Sequence, residues 1–242
     1  MIKRTRKHII SCFILLLTIF VLTAPAFAAT KEVKPVKKAV QGSKTYKIKN
    51  GKLVCVKGSK TTTISNVEST KLYSDGTRIF FDGGFGKANI YSLNLKTGKK
   101  KVVCKLSEGF ETHIVSSYKQ YLYVRNLKWS YAIDTSTGKK RYLSWSAANA
   151  VDIVPYKGYI YDSGSISDDI QKLVVSRYKP NGKRVQTLKG YFGVKLVDGQ
   201  LYVIKYKVSG DEWKYRVYKT DKLFKNLKAV TKWRKTIPKK YQ

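Results

Sequence analysis

Histidine, cysteine and acidic residues are all scarce in this chain, and each shortage removes a class of chemistry. Two histidines occur, and His8 falls in an N-terminal segment built like a removable leader, so His113 is the single imidazole left for function. That excludes histidine-rich metal sites and weakens most acid–base schemes, which lean on an imidazole titrating near neutrality. No metal and no cofactor is expected. Of three cysteines, Cys12 falls in the same leader, and Cys55 and Cys104 remain. Only 15 Asp+Glu face 49 Lys+Arg, a formal net charge of +34 over 242 residues. The uninterrupted apolar run is too short to cross a bilayer as a helix, which takes ~20 residues. What the chain does have is 43% hydrophobic and 13% aromatic residues, enough to bury a core and to exclude wholesale disorder.

Residues 1–28 have three parts: a basic start (Lys3, Arg4, Arg6, Lys7), an apolar run over 9–22, and a small-residue exit, Ala26-Phe27-Ala28, after Pro25. This is the layout of a secretory signal peptide cleaved after Ala28, so the mature protein is expected to be secreted or extracellular. The basic start accounts for only four of the cations, and the charge excess survives its removal. Cys55 and Cys104 lie in strand-like runs in an oxidising compartment. Two readings stay open for them, a disulfide and two buried free thiols.

Residues 29–43 are rich in Lys, Val and Ala without a clear period and are expected to form a flexible basic leader. From residue 44 onward, short runs of Val, Ile, Leu, Tyr and Phe alternate with polar residues between Gly, Asn and Asp turns, the period-two pattern of strands. The strands recur. Arg78-Ile79-Phe80-Phe81, Gln120-Tyr121-Leu122-Tyr123, Gly158-Tyr159-Ile160-Tyr161 and Gly199-Gln200-Leu201-Tyr202 begin 42, 38 and 41 residues apart. A turn marker stays in step with them: Lys96-Thr97-Gly98-Lys99, Ser136-Thr137-Gly138-Lys139 and Pro180-Asn181-Gly182-Lys183, with Gly58 in an earlier unit and Thr220-Asp221-Lys222 in the last. Each unit holds about four strands, in the second unit over 70–74, 78–82, 89–95 and 100–106. Self-similarity near 40 residues with four strands per repeat predicts an all-β, five-unit β-propeller-like domain over 44–236. Its first unit, about 44–66, is short, and a basic C-terminal tail over 237–242 follows it.

Segments such as Arg78-Ile79-Phe80-Phe81-Asp82-Gly83 and Ile90-Tyr91-Ser92-Leu93-Asn94-Leu95-Lys96-Thr97-Gly98 resemble blades of bacterial extracellular propellers related to the YWTD repeats of LDL-receptor-like proteins. The resemblance spans most of 44–233 with degenerate motifs, since Tyr121-Leu122-Tyr123-Val124 has no acid. It implies a fold and a binding role and brings no catalytic residues with it.

Charge is the largest functional signal. Residues 201–242 carry thirteen Lys+Arg against Asp211, Glu212 and Asp221. Alternation puts Lys205 and Lys207 opposite Tyr206 on one strand, and Lys214 and Arg216 opposite Tyr215 on the next. Pairing of the two strands would gather the four cations on one face. Such a face attracts polyanions. The expected activity is therefore non-enzymatic: a secreted, cell-wall-associated protein docking on an anionic cell-wall polymer, a membrane surface or a protein partner. Export argues against nucleic acid as the main ligand. Eighteen Tyr and four Trp support a second reading, a lectin-like propeller stacking sugars on exposed rings, against which stands ordinary packing of those rings. A third reading is a five-bladed glycoside hydrolase. Glu68, Glu111 and Asp152 each precede a predicted inner strand, and hydrolysis needs paired carboxylates. The expectation for these three is separation, each near a lysine such as Lys71 or Lys157, with no cleft between them.

Overall fold

Alternating side chains and glycine turns dictate a chain of antiparallel hairpins, and that is what forms. The structure, a computed structural model, describes residues 30–107, 111–145, 152–165, 172–209 and 211–242. Backbone contacts divide the chain into Met1–Thr30 and Lys31–Gln242, and the described strands all belong to the second unit. The signal-peptide reading of 1–28 lies outside the described residues.

Strands β1 (Lys34–Val36) and β2 (Ala39–Gln41) come first. With β3 (Lys44–Lys49), β4 (Lys52–Lys57) and β5 (Lys60–Asn66), β2 makes a four-stranded meander. The next meander is β6 (Leu72–Ser74), β7 (Arg78–Asp82), β8 (Asn89–Asn94) and β9 (Lys100–Lys105), close to the strands expected from the repeat. Then come β10 (His113–Tyr118), β11 (Tyr121–Arg125), β12 (Trp129–Asp134) and β13 (Lys140–Trp145). These are followed by β14 (Ile153–Tyr156), β15 (Tyr159–Ser165), β16 (Leu173–Tyr178) and β17 (Arg184–Lys189). The last meander is β18 (Tyr191–Val197), β19 (Gln200–Ser209), β20 (Glu212–Lys219) and the short β21 (Lys228–Ala229). The third and fourth meanders share one eight-stranded sheet, joined at the single pair Trp145↔Ser165. The fold is thus all-β, several antiparallel sheets of repeated meanders, in keeping with a propeller-like architecture.

The second strand of each middle meander is buried on both faces, which explains its near-continuous apolar sequence. Ile79 and Phe81 join a cluster with Tyr46 and Leu53 of the preceding meander, whereas Phe80 between them joins Leu122 and Tyr131 of the following one. Leu122 and Val124 likewise point back while Tyr123 points forward to Ile153 and Ile160. Ile160 points back and Tyr161 forward to Leu201 and Val203. Each fully buried side chain of this size contributes about 1.5–3 kcal/mol. Buried polar groups fasten the same joints. Asp82 accepts the backbone N–H of Glu68 (2.6 Å), Ser69 (2.8 Å) and Gly84 (3.0 Å), and Arg125 reaches across to Asp162 at 2.6 Å. Burial pushes the Asp162 carboxyl above the usual carboxylate range, against the pull of Arg125 beside it.

Three expectations need correction. Residues 29–43 are not an irregular leader: β1 pairs with β6, Val33 is buried in the cluster of the second and third meanders, and its N–H donates to the Lys119 carbonyl at 2.7 Å. Val33, Val36 and Ala39 carry the burial, and the lysines between them mask the pattern. The first meander is consequently not short, because β2 supplies its fourth strand. Residues 237–242 are not a free tail either. A 3₁₀ turn at Lys239–Tyr241 sets the Tyr241 ring against Tyr202 (5.0 Å) and Lys240 against Asp198 (3.1 Å).

The turn marker has a backbone cause. Gly98 and Gly138 both take positive φ (70° and 71°) and donate to the carbonyls of Asn94 and Asp134 at 2.8 Å. Their surroundings differ: a Cβ on Gly98 meets nothing within 4 Å, whereas one on Gly138 would lie 2.3 Å from the Val103 carbonyl oxygen of the preceding meander. Gly98→Ala should therefore cost about 1–2 kcal/mol for the left-handed backbone alone, and Gly138→Ala about twice that once the collision is added. Urea unfolding of the two variants checks this; equal losses would mean that Gly138 is not pinned between meanders.

Candidate functional site

The last meander differs from the others in length. Strand β19 has 10 residues and β20 has 8. Leu201 and Val203 begin one face of β19 and are fully buried against Val154 and Tyr161 of the preceding meander. Past Val203 that face turns basic. The register sets Lys205 opposite Arg216 and Lys207 opposite Lys214, so the four cations do share one face. Each has a local partner, however. The Lys205 ammonium lies 5.7 Å from the Tyr191 ring centre and that of Lys207 4.6 Å from the Trp233 ring. Lys214 pairs with Glu212 at 3.3 Å, and Arg216 donates to the Thr231 carbonyl at 3.0 Å. Glu212 also holds Lys235, and these two lysines keep its carboxyl below the usual range.

The other face of this hairpin is aromatic. Phe192 packs against Tyr206 (6.0 Å) and Tyr215 (5.3 Å), and Tyr206 stacks on Trp213 (5.2 Å). Val208 and Trp213, directly opposite each other near the hairpin end, are half exposed. Most other rings serve packing. Tyr73, Tyr123, Tyr131, Tyr161 and Tyr178 are fully buried. The hydroxyls of Tyr123, Tyr161 and Tyr178 donate to the carbonyls of Pro180, Lys222 and Leu143. Burial pushes the Tyr73 phenol up to about 12.

A stronger cluster lies at the opposite end of the same sheet, where the sequence pattern did not point to a site. The β14–β15 turn, the start of β19, the end of β20 and the loop 220–228 flank an open cavity of about 550 Å³. Lys157, Lys219, Lys222 and Lys228 line it, and Lys219 and Lys228 are direct cross-strand neighbours. Among the described residues no carboxylate pairs with any of the four. The one acid on the wall, Asp221, is consumed by its own loop: it accepts the N–H of Leu223 (2.8 Å) and Lys225 (3.0 Å) and the Asn226 amide (3.0 Å). Those bonds, led by the Lys225 N–H, hold its carboxyl below the ordinary value. The loop is anchored to the preceding meander through the Lys222 carbonyl, which accepts from Tyr161 (2.5 Å) and Arg177 (2.7 Å). In the sequence these residues carry only turn chemistry: Lys157 precedes Gly158, and Thr220-Asp221-Lys222 replaces the repeat marker. A repeat stacks equivalent turns beside one another, and that is how Lys157 comes to face residues more than 60 positions later.

The three carboxylates do not converge in one described cavity. Glu68 and Glu111 have exposed side chains without ion pairs among the described residues. Asp152 contacts Lys195, not Lys157, and lines a smaller cavity beside β18 that neither Glu68 nor Glu111 lines. His113 Nδ1 lies 3.0 Å from the Glu111 carbonyl, while the hydroxyls of Ser116 and Ser117 donate to the carbonyls of Ile153 and Val33. Asp162 is committed to Arg125 and Ser144. Cys55 and Cys104 are free thiols in different packing clusters, so the disulfide reading is not what the structure contains.

No protein-family model and no curated protein matches this chain. Solved structures similar to it include the N-terminal domain of Nup159, at 12% identity and a TM-score of 0.49, covering 84% of this chain and 62% of that one. An oligogalacturonate lyase in complex with manganese is 12% identical with a TM-score of 0.42, covering 78% and 61%. Dipeptidyl peptidase 4 of Porphyromonas gingivalis is 11% identical with a TM-score of 0.43, covering 85% and 40%. The chain thus spans less than two thirds of these proteins, and at such values no activity or ligand carries across.

The loop chemistry separates shape from charge. Removing an acid from a cationic site should tighten anion binding if only charge mattered. Because Asp221 organises the loop bearing Lys222 and Lys228, Asp221→Ala should instead weaken binding of inorganic polyphosphate several-fold. Acidification acts in the same direction: the folded-state carboxyl titrates below its unfolded value, so the loop's support is present above the ordinary aspartate range and is lost as pH falls through the depressed one. Calorimetric titration of wild type and Asp221→Ala decides between them, and tighter binding by the variant would contradict this role.

Proposed function

We propose that this is an exported, non-enzymatic binding protein whose last meander docks on an anionic cell-envelope polymer, with the lysine cavity at 157–228 as its principal contact. In the same reading the meanders are five units of a propeller-like domain akin to YWTD-type blades. One observation carries the proposal: four lysines rim a concavity whose only acid is occupied by its own loop. Bringing like charges together costs free energy that a multivalent anion recovers on binding, with release of its condensed counterions. The basic hairpin face of Lys205, Lys207, Lys214 and Arg216 extends the same sheet and offers a second, weaker footprint, since each cation there already has a partner. The basic, apolar and small-residue layout of 1–28 supports export. The separation of Glu68 and Glu111 from the cavity containing Asp152 favours binding over glycoside hydrolysis. A protein partner with an acidic surface would use the same cavity.

The test compares three sets of four charge-neutralising substitutions, each measured with purified wall teichoic acid over a range of salt. Glutamine at Lys157, Lys219, Lys222 and Lys228 should weaken binding most and flatten the slope of log affinity against log salt by about three. Glutamine at Lys205, Lys207, Lys214 and Arg216 should have a smaller effect, and at Lys44, Lys47, Lys57 and Lys60 the smallest. Equal losses from all three sets would mean that attraction is generic and that the cavity is not a site.

A further inference from the structure

A second cavity, of about 220 Å³, lies between Asp152, β15, β18, β19 and the 237–242 segment. Its chemistry is unlike that of the lysine cavity. Asp152 and Lys195 contact each other on its wall, about a third and a fifth exposed, so the wall offers a carboxylate acceptor and an ammonium donor with no net charge. Phe192 and Tyr241 supply rings and Ile204 an apolar patch. Ser163, a residue with no solvent exposure, is among those lining the cavity, and its hydroxyl has no hydrogen-bond partner. Next to it the Arg125 guanidinium, itself buried, donates through Nη2 to Asp162 and to the Ser163 carbonyl but leaves Nη1 without an acceptor. Native proteins leave few buried polar atoms unpaired, and an unpaired hydroxyl on a cavity wall is an open valence for a ligand.

We propose that this cavity binds one neutral sugar ring, the terminal or side residue of an envelope glycan. Three features select that class. An anion is disfavoured by Asp152 on the wall, in a protein that offers anions far better sites elsewhere. An apolar ligand would strand Ser163, Asp152 and Lys195 without water. A sugar satisfies all of these at once, because its hydroxyls both donate and accept while its C–H face packs on aromatic rings. The size agrees, being below the ~300 Å³ at which sites for drug-sized ligands begin. The site is independent of the lysine cavity and of the polyanion reading, since none of these residues lines that cavity.

The experiment is saturation-transfer NMR of the whole mature chain with a panel of neutral hexoses and N-acetylhexosamines, in high salt to suppress charge-driven contacts. At least one sugar should bind in the millimolar range, with affinity unchanged by salt and unchanged in the variant carrying glutamine at Lys157, Lys219, Lys222 and Lys228. Ser163→Ala and Asp152→Asn should each weaken it about tenfold, the loss of roughly one hydrogen bond. Ser163→Ala should leave the melting temperature of the free protein unchanged or raised, because the hydroxyl it removes has no partner to lose. No binding by any panel member, or binding indifferent to both substitutions, would overturn the proposal.

Discussion

Everything in this fold depends on second strands that are buried on both faces. In β7, β11 and β15 odd and even side chains feed different clusters, so each strand is the shared wall of two hydrophobic layers. A polar residue in such a strand must be satisfied inside a hydrophobic layer, and the acids are accordingly saturated with donors: Asp82, at the end of β7, accepts three backbone N–H groups, and Asp162, in the middle of β15, accepts from Arg125 and Ser144. The same constraint fixes the order of the meanders, because each cluster needs rings and branched side chains from two neighbours in sequence. Among the described residues no cluster joins the last meander to the first. The last one is thus released from two-sided packing: its hairpin lengthens, one face becomes aromatic, and the 237–242 segment covers part of it.

That release also explains where lysines can gather in a concave site. Lysines paired with lysines across hairpins occur in the first meander too, at Lys49↔Lys52 and Lys57↔Lys60. On an open edge such pairs lie in high dielectric and cost about 1 kcal/mol or less. What sets the last meander apart is concavity. The Asp221 loop, tied by Tyr161 and Arg177 to the preceding meander, folds Lys222 and Lys228 toward Lys157 and Lys219. Field lines from several cations converge there.

The sequence made strands and turns legible because both follow from local rules. Alternation located 78–82 to the residue, and the marker glycines proved to be positive-φ positions whose N–H groups close the turns. The opening strands were hidden because Val33, Val36 and Ala39 are spaced by lysines that dilute any periodic signal. The basic face was legible for the same reason as the strands: register plus alternation puts Lys205 and Arg216 together. Its saturation was not, since Trp233, Thr231 and Glu212 approach from outside the two strands. The lysine cavity was invisible for a related reason. It is assembled from turns of two successive meanders, and only the stacking of repeats brings Lys157 to Lys222.

If anion binding by this cationic chain has a defined place, it must show first at the lysine cavity. Titrating isotope-labelled protein with a short inorganic polyphosphate and following the amide shifts tests this directly. The earliest and largest shifts should fall at 156–158 and 219–228, saturating before those of the first meander move. Shifts distributed over the lysines of 44–60 as strongly and at the same concentrations would contradict it.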